Sequence, residues 1–358
     1  MTAARTRRPR RGAAPLAALA AAALLLALAA AGCGSGADGD RAATAAATAA
    51  DADGFPARVE HKYGVTTVRS RPRRIVSVGL TEQDTILALG YTPIATTDWY
   101  GDQPHAVWPW SRAALGDARP TVLQDDDGFD YERIAALRPD LIVGVNAGMR
   151  RGDYEKLSRL APTIPAGRGS TDYFSPWDRQ VELIAAALGR PRAGRALVAK
   201  VRADYAKAAA AHPELQGKTV TFAQNGFYSG LLYAYPDGLG TDFLTMLGMT
   251  VNPKLTPLVE RAGEQVGISP ERLDVLDADA VLFATERASD LAALEKVPTF
   301  PKLGAVADHR AVFTDGTLAG AIYFMTPASL EYVLRRLPPA LSRAVAGKAP
   351  RRLMRADG

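Results

Sequence analysis

The hydrophobic pattern of the first half alternates between short apolar runs rich in β-branched residues and segments with helical periodicity. The runs that predict strands are 74–78, 93–97 and 141–145, with 163–165 as a short closing strand. Between them, 82–89, closed by Gly90, and 131–137 have the spacing of helices. Strands that alternate with helices are typical of βα units around a parallel sheet, so we expect an α/β lobe.

The second half repeats this alternation after a long helical stretch. Strands are predicted at 218–223, 280–284 and 311–314, and helices at 241–247 and 327–337. The intervening segment, 176–211, is rich in Ala, Leu, Arg and Lys, and Gly189-Arg190-Pro191 should kink or split it. The pattern therefore predicts two lobes with mainly parallel sheets, bridged by a single long helical linker that would restrict hinge closure.

One segment occurs in both halves. Residues 132–143, which begin Glu-Arg and continue into an apolar strand, align without gaps on residues 271–282. Each copy predicts a short helix followed directly by a buried strand, and each presents a glutamate, Glu132 or Glu271, in the first helical turn. Acidic residues are common there because they complement the helix dipole, with Asp130 and Ser269 as N-caps. That explanation covers each glutamate separately and leaves their repetition unexplained.

The N-terminal 33 residues have the features of an export signal. Five arginines precede a nearly continuous apolar stretch from Ala13 to Ala31, and Ala30-Ala31-Gly32 leads into Cys33. This exit resembles the lipobox of bacterial lipoproteins, with Ala30 where that motif usually has Leu. We expect a signal peptide at 1–32 and lipidation at Cys33, which would anchor the protein on the extracytoplasmic face of the cell membrane. A retained membrane helix, or an ordinary signal with a chance cysteine, are the alternatives.

Charge and composition bear mainly on the chain after the signal. The segment 1–32 carries five arginines and no acid, which accounts for the whole net charge of +5, and the nearly neutral remainder gives no electrostatic case for binding nucleic acid. The segment 33–56 is poor in bulky side chains, so it should be a flexible tether. The predicted organisation is a signal peptide at 1–32, a tether at 33–56, an N-terminal lobe at 57–173, a helical linker at 174–212, a C-terminal lobe at 213–345 and a basic tail at 346–358.

Several of these segments together resemble the iron-siderophore and cobalamin class of periplasmic solute-binding lipoproteins of ABC transporters. The matching segments are 74–79 with Glu82 and 87–90, 131–144, 270–273 and 300–315. The resemblance implies two α/β lobes bridged by one long helix, a ligand cleft between them and little movement on binding. It also implies that Glu132 and Glu271, near the tips of the lobes, dock into arginine pockets of a permease dimer.

Candidate ligand contacts follow the predicted strands, because ligands of open α/β lobes bind at the carboxyl ends of strands. Three of the four tryptophans lie within twelve residues after the second strand, and broad aromatic faces suit a bulky chelate. Packing of these rings onto the lobe is the alternative for each. Gln224 and Asn225 also follow a strand. The predicted ligand-binding residues are Trp99, Tyr100, Trp108, Asn146, Arg150, Tyr228, Arg287 and Tyr323.

The remaining chemistry of the sequence argues against a metal site and against catalysis. The four histidines have no metal-ligand spacing, and Cys33 is the only cysteine, so iron would arrive already chelated and no other cofactor is expected. No P-loop, dinucleotide-binding glycine motif or nucleophile elbow is present. We therefore predict a binding protein rather than an enzyme, one that delivers a ferric siderophore, with hydroxamates favoured, to an ABC importer. Haem, cobalamin or a catecholate are alternative ligands, and a cleft enzyme using Glu286 with His309, or a ligand-sensing lipoprotein, are alternative classes.

Overall fold

The computed structural model describes residues 53–124, 128–170, 173 and 175–354. The predicted signal peptide, Cys33, most of the tether and residues 355–358 of the basic tail lie outside the described residues. Within the described ranges, no helix has the length and apolar character that a membrane crossing requires.

The N-terminal lobe is built on a parallel sheet. Its elements are β1 (Ala57–His61), β2 (Gly64–Val68), β3 (Ile75–Ser77), α1 (Glu82–Ala88), β4 (Ala95–Thr97), a 3-10 turn (Pro104–Ala106), α2 (Pro109–Leu115), β5 (Thr121–Leu123), α3 (Tyr131–Ala136), β6 (Leu141–Gly144), α4 (Arg151–Leu157) and β7 (Thr163–Pro165). The sheet order is β5-β4-β3-β6-β7, with every pair parallel, and β1 and β2 form a separate antiparallel hairpin. Strands predicted from apolar runs are therefore found in this sheet, buried on both faces.

Two helices lead into a second sheet. The elements are α5 (Trp177–Ala187), α6 (Pro191–Ala211), a 3-10 turn (Pro213–Leu215), β8 (Thr219–Tyr228), β9 (Leu231–Tyr235), α7 (Asp242–Thr245), β10 (Thr250–Val251), a 3-10 helix (Pro253–Leu258), β11 (Val266–Ile268), a 3-10 helix (Pro270–Leu276), β12 (Ala280–Ala284), α8 (Ala288–Glu295), a 3-10 turn (Phe300–Lys302), α9 (Gly304–Ala307), β13 (Ala311–Phe313), α10 (Gly316–Phe324) and α11 (Pro327–Val345). The sheet order is β11-β9-β8-β12-β13, and β10 also pairs with β8.

The second sheet is mixed, because β8 and β11 both run antiparallel to β9. The strand predicted at 218–223 continues to Tyr228, since its far end pairs with β9 in a hairpin whose register shifts between Ala223 and Phe227. Gln224 and Asn225 therefore lie in this irregular part of the strand, not after it. The predicted α/β class, with two lobes and mainly parallel sheets, is confirmed.

The helical connection between the lobes is split where the sequence indicated. The first helix, α5, ends at Ala187 with Leu188 as its C-cap, Gly189 has a φ of +64°, and Pro191 begins α6. A side chain at Gly189 would also collide with the backbone of Gly54 and the ring of Phe55. The 21-residue helix α6, about 31 Å long, packs against both α5 and α11. The domain limits drawn from the sequence stay predictions.

The repeated segment adopts related but unequal structures in the two lobes. In each copy the closing aspartate binds the backbone N–H at the start of the neighbouring strand: Asp140 accepts from Arg74 and Asp279 from Thr219, both at 2.8 Å. The first copy is the α-helix α3, capped by Asp130, as predicted. The second is a 3-10 helix, and the hydroxyl of Ser269 binds the side chain of Glu271 instead of capping the backbone, which corrects the predicted cap.

The lobes are joined around one buried carboxylate as well as by helices. Asp84 of α1 accepts a hydrogen bond from the indole N–H of Trp110 at 2.6 Å and another from the hydroxyl of Thr326, the N-cap of α11, at 2.7 Å. Burial raises the pKa of Asp84, and these donors oppose the rise. The hydroxyl oxygen of Thr326 also accepts from the backbone N–H of Ser329 and so caps α11. The N-terminus of this helix, in the C-terminal lobe, is therefore hydrogen-bonded to Asp84 of the N-terminal lobe.

Candidate ligand-binding site

A cavity of about 530 Å³ lies between the lobes. Its volume is within the range of small-molecule sites, about 300–1,000 Å³. Side chains of both lobes contribute, and most are apolar or aromatic. The lining residues are Leu80, Trp99, Tyr100, Asn146, Tyr173, Ser175, Trp177, Gln180, Phe222, Gln224, Tyr228, Tyr235, Gly240, Asp242, Glu286, Ile322, Tyr323, Phe324 and Met325.

An aromatic cluster forms one wall of the cavity. Trp99 and Tyr100 follow β4, and their ring centroids are 5.5 Å apart in an edge arrangement. Rings from α10 meet them: Phe324 lies 5.7 Å from Trp99, and Tyr323 lies 6.0 Å from Tyr100. Trp99 keeps 41% of its surface exposed, so it can accept a ligand ring or alkyl chain. The structure thus brings together residues that are more than 200 positions apart.

Trp108 lies behind this wall and does not line the cavity. It is 3% exposed, stacks on Trp110 at 5.0 Å and contacts Tyr100 at 5.2 Å. Its ring packs so closely on Gly101 and Gly320 that a side chain at either position would overlap it. The structure therefore places Trp108 as a support for Tyr100.

Of the predicted polar contacts, Asn146 and Tyr228 line the cavity. Asn146 follows β6, and its backbone N–H donates to the buried carboxylate of Glu82 at 2.6 Å. Tyr228 lies near the end of β8 with half of its surface exposed, and its hydroxyl donates to Asn225 Oδ1 at 2.6 Å. The position of Asn146 follows from the strand-end rule, whereas Tyr228 is the last residue of β8, in the part that pairs antiparallel with β9.

Arg150 and Arg287 lie outside the cavity lining. Each is exposed and occupies the N-cap position of a helix, α4 and α8 respectively. The side chain of Arg287 is 76% exposed, and its guanidinium is 4.0 Å from the carboxylate of Glu286. Ligand contact by either arginine stays a prediction.

The lining also includes groups that the sequence reasoning did not select as ligand contacts. Glu286 follows β12 and was available to the strand-end rule, but only the enzyme alternative used it. Its proposed companion, His309, is exposed and lies outside the lining. Trp177 and Asp242 sit in the first turns of α5 and α7, where no local pattern separates them from ordinary helical residues.

Burial shifts the titration of several lining groups. It raises the pKa of Glu286, with Asp290 adding to the shift and Arg287 opposing it, and it also raises the pKa of Asp242. The phenol of Tyr235 has its pKa raised to about 12 by burial. The pKa values of Tyr100 and Tyr323 rise for the same reason, with the Glu286 charge as a further contribution.

No group of three or more His, Cys, Asp or Glu side chains in the described part of the chain is arranged to hold a metal ion. The cavity lining instead offers aromatic faces, hydroxyls, amides and two carboxylates. Such a lining suits a bulky organic ligand with a few polar anchors.

Comparison with known proteins gives consistent matches. The sequence model of the periplasmic binding protein family matches residues 75–318. A crystal structure of a periplasmic solute binding protein from Mycobacterium smegmatis is 39% identical, with a TM-score of 0.74 over 81% of this chain and 98% of that chain. The putative ABC transporter substrate-binding lipoprotein YhfQ of Bacillus subtilis is 25% identical over 276 residues, 72% of this chain and 80% of YhfQ. PiaA of Streptococcus pneumoniae, crystallised with ferrichrome, is 23% identical, with a TM-score of 0.69 over 81% of this chain and 99% of PiaA.

Proposed function

Because the chain belongs to the periplasmic binding protein family, we propose that it captures a ferric siderophore outside the cytoplasm and delivers it to an ABC importer. Membership confirms the resemblance found in the sequence. It also confirms the prediction that the protein is not an enzyme, because proteins of this family bind solutes without converting them.

The observation that carries the proposed ligand is the aromatic cavity between the lobes. A ferric ion wrapped in an organic chelator is a bulky ligand with an apolar surface, which matches the volume and the aromatic wall. Iron would enter with its own ligands and would be cargo rather than a resident cofactor. We favour hydroxamates because an iron–trihydroxamate core is uncharged and PiaA was crystallised with ferrichrome, a chelate of this type.

Titration of the full-length protein, purified in detergent, with iron-loaded chelates tests this assignment. Trp99 and Trp177 both line the cavity, so a bound ferric hydroxamate should quench tryptophan fluorescence. We expect micromolar affinity or tighter, about −8 kcal/mol or better. Trp99→Ala should weaken binding without changing the melting temperature. Haem, cobalamin and a ferric catecholate are the comparison ligands, and tighter binding of one of these would replace the siderophore class.

Delivery to a permease is the role we propose for Glu132 and Glu271. Both side chains are exposed, and within the described residues neither forms an ion pair. Their carboxylates are therefore available for the arginine pockets that the family resemblance implies, where charge-assisted pairs would be stronger than ordinary surface contacts. The repeated segment presents one such glutamate from each lobe, which suits a permease with two equivalent subunits.

Charge reversal at both glutamates should separate docking from ligand binding. In cells supplied with the cognate ferric siderophore as sole iron source, Glu132→Arg with Glu271→Arg should abolish growth while siderophore affinity and melting temperature stay unchanged. The matched control, Glu155→Arg with Glu295→Arg, reverses one exposed carboxylate in each lobe and should grow normally. Normal growth of the Glu132/Glu271 variant would leave only the helix-dipole explanation. Uptake that survives deletion of the whole gene would favour the sensor alternative.

Anchoring through Cys33 is the localisation we propose. It is supported by the arginine-rich, apolar and small-residue segments that precede the cysteine, and YhfQ is named a lipoprotein. Cys33→Ser should release the protein from the membrane fraction or leave it unprocessed. A processed variant that stays in the membrane fraction would contradict lipidation.

A further inference from the structure

The charged side chains of the described cavity lining are all acidic. Glu286 and Asp242 contribute carboxylates, while the described lining contains no lysine, arginine or histidine. Thr171, Asp172 and Phe174, which interrupt the described residues around Tyr173, add no basic side chain to that stretch of sequence. A negatively charged chelate would therefore be desolvated next to two carboxylates of the same charge. No cation in the described lining would compensate the charge of the chelate.

Glu286 is fixed in place but keeps most of its acceptor capacity. Its backbone N–H donates to Asp290 at 2.8 Å, and Oε1 accepts from the amide of Asn225 at 3.2 Å. Among the described residues, the cation paired with Oε2 is the exposed Arg287, whose guanidinium lies 4.0 Å away. The Glu286 side chain is only 18% exposed, so it is partly desolvated with one hydrogen bond from a described side chain. An ionised carboxylate accepts about four hydrogen bonds, so most of its acceptor sites are open.

The aromatic groups around Glu286 complement a cation rather than an anion. Tyr100 and Tyr323 line the same cavity as Glu286, and after burial the charge of Glu286 is among the causes that raise the pKa of both. Aromatic faces attract alkylammonium groups, and a carboxylate beside them forms charge-assisted hydrogen bonds. Burial raises the pKa of Glu286, the charge of Asp290 adds to the rise and Arg287 opposes it, and a ligand ammonium would supply a closer countercharge.

We propose that Glu286 is the specificity-determining residue of this cavity and receives a protonated amine carried by the iron chelate. The protein would then select iron chelates that have an ammonium group over neutral ones, and neutral ones over anionic ones. This inference rests on the proposed siderophore-binding function, and it names the class of chelate that the same site takes.

A matched pair of chelates tests the inference directly. Ferrioxamine B carries a free ammonium group, and its N-acetylated derivative has the same iron–hydroxamate core without that charge. Full-length protein in detergent should bind ferrioxamine B about tenfold more tightly than the acetylated chelate. Glu286→Gln, which keeps the shape of the side chain, should remove this preference by weakening only the binding of ferrioxamine B. Glu295→Gln, at an exposed carboxylate of the same lobe, should preserve the preference.

The possible outcomes separate the inference from the proposed function. Equal affinity for the two chelates in the wild-type protein, or a preference that survives Glu286→Gln, would overturn the amine site while leaving siderophore binding intact. Tighter binding of a ferric catecholate or ferric citrate than of either hydroxamate would also overturn it. If no iron chelate binds, the proposed function itself fails. Melting temperatures of both variants, measured without ligand, establish that each is folded.

Discussion

The same local hydrogen-bond arrangement occurs in two loops, the one that follows β6 in the N-terminal lobe and the one that follows β12 in the C-terminal lobe. In both, an arginine occupies the N-cap of the next helix, and its backbone N–H donates to an aspartate three residues later. These bonds join Arg150 to Asp153 and Arg287 to Asp290, each at 3.0 Å. Both loops come after the strand in which the repeated segment ends, and each carries an arginine followed three residues later by an aspartate, so matched local sequence has produced matched local structure.

The two loops differ in how they use a carboxylate. In the N-terminal lobe, the residue before the arginine is the buried Met149, and the carboxylate comes from α1: Glu82 accepts from the backbone N–H groups of Asn146 and Thr81. In the C-terminal lobe, the residue before the arginine is Glu286, whose side chain lines the cavity. The N-terminal carboxylate is thus satisfied by the backbone and serves stability, whereas the C-terminal one keeps acceptor sites for a ligand.

The largest expected effect is on stability, and it should differ between removal of the Glu82 carboxylate and removal of the Glu286 carboxylate. Glu82→Ala should lower the free energy of unfolding by about 3 kcal/mol or more, because two backbone N–H groups lose their partner inside the protein. Glu286→Ala should lower it by less than about 1 kcal/mol, since its side chain has one hydrogen bond and reaches the cavity. Urea unfolding of both variants at neutral pH without ligand measures the difference. Equal losses would contradict the proposed division.

We expect a smaller loss of stability when the aspartate of either loop is replaced. Asp153→Ala and Asp290→Ala should each lower the free energy of unfolding by about 1–2 kcal/mol, because each removes two hydrogen bonds at a partly exposed site. Both aspartates accept from the N-cap N–H, Asp153 also accepts from the Tyr131 hydroxyl, and Asp290 has a second backbone donor. Their effects on binding should differ, because Asp290 also accepts from the backbone N–H of Glu286. Binding of the amine-bearing chelate should weaken in the Asp290 variant only. Weaker binding in both variants would mean that the two loops are coupled through the cavity.

The smallest expected effect is a pH dependence of stability that arises at Glu286. Burial raises its pKa in the folded protein above the ordinary value of 4.5, so the folded state holds this proton more tightly than the unfolded state. The resulting stabilisation is fully present below pH 4.5 and is lost as the pH rises through the folded pKa. Glu286→Gln should therefore be slightly more stable than the wild type near neutral pH and equal to it in acid. Melting temperatures between about pH 4 and pH 7 test this, with Glu295→Gln expected to follow the wild type.

The sequence pattern was sufficient to predict those elements that depend only on neighbouring residues in the chain. The buried strands at 75–77, 141–144 and 280–284, the break at Gly189 and the cap at Asp130 follow from apolar runs, glycine and proline geometry and side-chain capping. The hairpin partner β9 and the 3-10 winding of the second repeated segment could not be predicted in this way. Pairing across a sheet and helix type over one or two turns both depend on the groups that pack against the segment.

The candidate site divides in the same way. The strand-end rule selected Trp99, Tyr100, Asn146 and Tyr228 because the carboxyl ends of parallel strands meet at one edge of a sheet. It could not tell that Trp108 turns inward behind Tyr100, or that Trp177, which is almost fully buried, and Asp242 line the cavity from helices. Those orientations depend on how the two lobes face each other, since exposure is a property of the packed surface and not of the residue. The sequence by itself determined the α/β class and several of the strands whose ends border the cavity, and the packing of one lobe against the other decided which side chains a ligand can reach.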